Sequence, residues 1–293
     1  SLESWSCGSF FGSSGTRARA RNQVDEAGSA STISTDVLFF NVTYTSNDLP
    51  NVTLVNLTAT SNDNLTVDNL TVSFNITDAD NNATYNITDW RLEGTSIAVL
   101  NMPFDLNISS TAIGAVRDYS MYSNNGTLPG GVNSPIWETG KVGGAYNFDG
   151  SNDFLNLSSI DIFSDVTKNE STIMFWLKAD NFDVSDARLV AKTNGTSGPD
   201  TWWLVSTLSS SGIKIRYMLK TDDSVTTLVS NTGLSTLTWY HVAAVYNGAQ
   251  MIIYLNGNDD GSTDKSGAID TLDTIEAWVG GNPSGATDRP FNG

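Results

Sequence analysis

The chain has 293 residues, enough for two domains, and a formal net charge of −17 with only 15 Lys and Arg. That balance argues against nucleic acid and anionic membrane surfaces as partners. No apolar run reaches the ~20 residues that a membrane-spanning helix needs. Charged residues make up 16% of a chain rich in Thr, Asn and Ser, a composition of exposed β-sandwiches rather than of helical enzymes.

Residues 1–35 show no sustained periodicity, and Arg17, Arg19 and Arg21 alternate with small residues; this stretch reads as an extended arm. The chain opens on Ser1 rather than Met, the mark of a processed product or an incomplete frame. Residues 36–44 form a strand apolar on both faces, with Phe39 on one side and Leu38, Phe40 and Val42 on the other. Residues 51–59 switch phase near Leu54–Val55, which predicts a bulge. Residues 69–77 alternate cleanly: Leu70, Val72, Phe74 and Ile76 inward, Asn69, Thr71, Ser73, Asn75 and Thr77 outward. A turn at 78–82, a strand over 85–92 carrying Trp90, and a closing strand at 96–100 complete this segment.

In residues 143–157 Tyr146 and Phe148 point one way and Ala145, Asn147 and Asp149 the other. Gly150 turns the chain before Phe154, Leu155 and Leu157, so the stretch reads as a hairpin. Strands are predicted at 171–179, 189–193, 202–208, 213–219, 225–229 and 277–279, with a hairpin over 238–257. Asp222-Asp223 and Asp259-Asp260 read as turn pairs.

Three motifs carry a resemblance. Residues 143–157 (GGAYNFDGSNDFLNL), 171–179 (STIMFWLKA) and 238–257 (TWYHVAAVYNGAQMIIYLNG) resemble, in order, the conserved strands of laminin-G-like, concanavalin A-like jelly rolls, and residues 117–127 resemble a loop of the same family. The resemblance covers about residues 100–293 and implies that Trp176 is a core tryptophan. It also implies one more core strand beyond Phe291-Asn292-Gly293, which the sequence lacks. Residues 68–94 resemble the B–C region of immunoglobulin-like modules of secreted surface proteins, with Trp90 in the core. That module has no cysteine pair and about five strands, where a full sandwich has about seven. The expected fold is therefore all-β: an arm (1–35), an incomplete immunoglobulin-like sandwich (36–100) and a laminin-G-like jelly roll (101–293) lacking its last strand.

Sequons mark Asn41, Asn51, Asn56, Asn64, Asn69, Asn75, Asn82, Asn86, Asn107, Asn125, Asn169 and Asn194, and a further one, Asn156, follows the hairpin. Eight of them fall between Asn41 and Asn86, so covalent N-glycans are expected there. Asp149, Asn152 and Asp153 crowd one turn and Asp118 lies in an earlier loop. These are hard oxygen ligands suited to a structural Ca²⁺, although Asx-turns use the same residues without metal. No cofactor is required by any motif. Cys7 is the only cysteine, which excludes an intrachain disulfide, and His241, the only histidine, lies on a core-bound strand. No run of alternating acids and no Ser-His-Asp logic appears, so an enzyme is not expected and no residue is assigned a catalytic role. Trp202 and Trp203 point to opposite faces of one strand, and one of them is a candidate sugar platform.

Together these features point to a secreted, N-glycosylated structural protein of the cell surface. It would be a homopolymer subunit assembled by donating Val37, Leu38, Phe39, Phe40 and Val42 as a strand to a neighbour. The alternative is a lectin-like adhesin with a carbohydrate ligand.

Overall fold

A computed structural model describes residues 48–61, 68–81, 84, 86–160, 170–195, 198–285 and 287–293. Residues 50–293 form one compact unit. The expected arm, the donor strand with Asn41, and the sequons at Asn64, Asn82 and Asn169 lie outside the described residues.

β1 (Asn51–Ala59) and β2 (Leu70–Thr77) form an antiparallel pair. Its register shifts between Val52 and Leu54, beside the phase switch read from the sequence. Leu54, Val55, Leu57 and Leu70 are all more than half exposed. Among the described residues no second sheet covers this pair, so the immunoglobulin-like reading rests on the hairpin alone. Trp90, expected in a core, is 40% exposed. Only β3 (Arg91–Leu92) and β4 (Thr95–Ser96) form there, because the positive φ of Glu93 and Gly94 turns the chain after two residues. Val99, Leu100, Met102 and Phe104 pack on the jelly-roll core, so that body gathers residues from before position 101.

The jelly roll follows. β5 (Ile136–Thr139) pairs with β6 (Gly144–Asn147). The later strands are β7 (Leu155–Asn156), β8 (Ser171–Leu177), β9 (Arg188–Thr193), β10 (Thr201–Ser209), β11 (Ile213–Thr221), β12 (Ser224–Val229), β13 (Tyr240–Tyr246), β14 (Gln250–Leu255), β15 (Asn258–Asp264) and β16 (Ala277–Val279). A six-stranded sheet runs β12-β11-β10-β9-β16-β7 and a four-stranded sheet runs β15-β14-β13-β8. The core gathers Trp203, Val205, Ile215, Tyr217 and Leu219 of the larger sheet with Leu177, Val242, Ala244, Met251 and Ile253 of the smaller. Each fully buried Val, Leu, Ile or Met among them contributes ~1.5–3 kcal/mol.

Three expectations are corrected. The turn at Gly150 forms with φ 75°, and a Cβ there would meet the Asn292 side chain at 2.6 Å, so glycine is required both sterically and conformationally. But β6 and β7 do not pair as a hairpin: they enter different sheets. Asp259 and Asp260 are not a turn but part of β15, where buried Asp260 accepts bonds from the Thr232 N–H and hydroxyl. Trp176 is not a core residue. Ile173, Phe175 and Leu177 of β8 face inward, which turns Met174 and Trp176 outward, 68% and 42% exposed.

Residues 291–293 close the body. Phe291 is buried and meets the Phe148 ring edge-on at 6.3 Å. Phe148 and Gly293 exchange both backbone hydrogen bonds at 3.0 Å, and the Asp180 N–H donates to the Asn292 carbonyl at 3.1 Å. The segment thus lies between the end of β6 and the residues after β8.

Candidate ligand-binding surface

The outward face of the four-stranded sheet carries Trp176, and Trp239 lies just before β13. Antiparallel pairing sets His241 opposite Trp176 and Ala243 opposite both Met174 and Tyr254. The His241 ring meets Trp176 at 5.3 Å and 65°, and the Lys141 ammonium lies 5.8 Å from the Trp176 ring centroid. Half-buried Trp239 sits just before β13 with the Lys178 ammonium 5.3 Å from its ring. Lys178 is also 3.7 Å from a Glu138 carboxylate oxygen. The His241 N–H is held by Asn256 Oδ1 at 2.9 Å. The result is an apolar floor bordered by ammonium, imidazole, carboxylate and amide groups. Such a surface can stack a pyranose ring on an indole while bonding its hydroxyls.

This surface escapes a sequence reading because β8 is apolar in both parities. His241, unique in the chain and in register with Trp176, is the available signal.

The Trp202/Trp203 pair divides as the alternation requires. Trp203 is 2% exposed and belongs to the core. Trp202, at a register shift between Thr201 and Trp203, is half-buried under the Lys220 ammonium, 5.3 Å from its ring. It offers less free ring than Trp176.

Of the four metal candidates, the three aspartates bond to the chain itself through their carboxylates. Asp118, 4% exposed, accepts from the Asn101 N–H (2.8 Å), the Ser120 N–H (2.9 Å) and hydroxyl (2.6 Å) and the Asn124 N–H (2.8 Å). Asp149 Oδ1 accepts from the Ser151 and Asn152 N–H groups, an Asx-turn. Asp153 Oδ2 accepts from the Asp149 N–H at 2.9 Å. Burial raises the Asp153 pKa, the Asp149 N–H bond opposes that, and the Asp149 charge adds to it. Asn152 Oδ1 is buried without a hydrogen-bond partner. Among the described residues no group of three or more His, Cys, Asp or Glu is placed to share a metal ion.

Of the described sequon asparagines, Asn51, Asn56, Asn69, Asn75, Asn86, Asn107 and Asn194 are exposed. Asn125 is half-buried and its Oδ1 accepts from the Asp118 N–H. Asn156 donates to Glu276 at 3.0 Å and accepts from the Ser158 N–H at 2.6 Å.

The two packed antiparallel sheets define an all-β jelly roll of the laminin-G-like type. Residues 149–293 match the family model of the concanavalin A-like lectin/glucanases superfamily, a laminin-G type. No curated protein matches the chain. Similar solved structures include domain 4 of AbnA, an extracellular arabinanase from Geobacillus stearothermophilus, in complex with arabinotriose. It is 15% identical over 60% of this chain and 82% of that one, with a TM-score of 0.45. The binding domain of Paraclostridial Mosquitocidal Protein 1 is 14% identical over 64% of this chain and 44% of that one, TM-score 0.45. The LG1-3 region of the laminin alpha2 chain is 21% identical over 50% of this chain and 29% of that one, TM-score 0.36.

Proposed function

We propose that the protein is an extracellular carbohydrate-binding module that holds a glycan on the Trp176–Trp239 face. The observation that carries this reading is the exposed Trp176 indole, flanked by His241 and Lys141 on an ordered strand pair. A solvent-facing indole on a rigid sheet loses little entropy on binding. The role is one of binding, without catalysis. A glycan panel followed by calorimetry tests it: at least one saccharide should bind, and Trp176→Ala and Trp239→Ala should each weaken it by about tenfold or more. A panel without a ligand, or variants that bind like the wild type, would refute the reading.

A further inference from the structure

We propose that Arg188, Arg216 and Arg289 form a binding site for a small oxyanion, the carboxylate or sulfate group of a ligand. All three guanidiniums converge on one carboxylate. Asp186 Oδ1 accepts from Arg188 Nη1 at 2.7 Å and from Arg216 Nη2, and Asp186 Oδ2 accepts from Arg289 Nη1. Arg216 Nε donates to Ser206 Oγ at 3.1 Å. The one other carboxylate at hand, Asp288, stands 3.7 Å from Arg289 Nε and also accepts from Asn282 and Ser284. Three cations therefore face two carboxylates, a local excess of positive charge on a chain of net charge −17.

The donors are in excess as well. Each guanidinium offers five N–H groups in a fixed fork and accepts nothing. Arg188 Nε and Arg289 Nε are buried and have no hydrogen-bond partner. Buried N–H groups on a cation are rarely left unpaired unless an ion or water completes them. Arg188 has a side chain 1% exposed, so it cannot turn to solvent to find one. Arg216 and Arg289, 13% and 28% exposed, are the members of the cluster that solvent reaches. Burial lowers the Arg188 pKa to about 10, Asp186 opposes this and the two neighbouring arginines add to it, so an arriving anion relieves a strained charge balance. A planar carboxylate or a tetrahedral sulfate fits a guanidinium fork with two parallel bonds.

The site lies apart from the tryptophan face and needs no saccharide for its test. Wild-type protein with ¹⁵N-labelled arginine is titrated with sodium glucuronate and, separately, with sodium sulfate, at constant ionic strength against sodium chloride. The Nε–H resonances of Arg188 and Arg289 should shift saturably and the melting temperature should rise with the bound anion. Arg289→Gln should weaken binding by about tenfold, and Arg289→Lys should fall between, since it keeps the charge and loses the fork. The relative affinities of the two anions tell a carboxylate site from a sulfate site. If neither anion moves the Nε–H resonances beyond the chloride control, the three arginines only tie their loops together and the proposal fails. It fails equally if Arg289→Gln binds as tightly as the wild type. The wild-type titration decides the matter even where a variant does not fold.

Discussion

Replacing Asp118 by Asn tests whether one buried carboxylate holds the loop over residues 99–125. Its two oxygens take four hydrogen bonds, three from backbone N–H groups and one from the Ser120 hydroxyl. Asparagine keeps one acceptor oxygen and sets an NH₂ against two donors. A buried donor without an acceptor costs ~1–3 kcal/mol, so two of them amount to ~2–6 kcal/mol. A domain of this size loses ~2–4 °C of melting temperature per kcal/mol, which predicts a fall of ~4–24 °C. Differential scanning calorimetry reads the shift, and running it in EDTA and in excess Ca²⁺ separates two causes. If Asp118 serves the backbone, the loss is the same in both. If it serves a metal, the wild type melts higher with Ca²⁺ and the variant does not. A variant that melts within ~2 °C of the wild type would refute the hydrogen-bond argument.

Trp203→Ala, which empties a core site, should cost ~3–5 kcal/mol in denaturant unfolding, whereas Trp176→Ala, on the outer face, should cost ~1 kcal/mol or less. Equal losses would mean that the strand parities are reversed. The Asp153 pKa is raised in the fold, so its ionised form weakens the native state above that pKa, and protonation relieves the penalty as pH falls. Asp153→Asn retains an acceptor for the Asp149 N–H; it should melt at or above the wild type at neutral pH, and the gap should close in acid. Intact mass spectrometry of protein from a glycosylating host should exceed the bare 31.4 kDa, with peptide mapping placing glycans on Asn56, Asn69 and Asn75 and none on Asn156.

Strand positions were legible in the sequence wherever alternation had one meaning. β9 to β14 and β16 fall within a few residues of the expected ranges, and β16 coincides with 277–279. Parity was not legible in β8, where Ile173, Phe175 and Leu177 compete with Met174 and Trp176, and the family resemblance implied Trp176 as the inner one. Only the pairing with β13, over sixty residues away, settles which set faces the core. β15 was missed because NDDGSTD carries turn residues throughout; the β14 edge makes it a strand, an override of propensity by pairing. The tryptophan face and the arginine cluster depend on such distant registers, so local patterns could not reveal them.

The order of the six-stranded sheet constrains how the chain is made. Among the described residues β7 bridges back to Thr127 through Asn156 alone, and its one strand neighbour is β16, whose Val279 pairs with Leu155, so this ladder waits for ~120 further residues to emerge. At ~5–20 residues per second that delay lasts ~6–24 s. Throughout it Leu155 and Leu157, both buried in the finished body, must stay wet or be shielded by a chaperone. Mutations that slow elongation or soften β16 should therefore lower yield before they lower the stability of the protein that does fold.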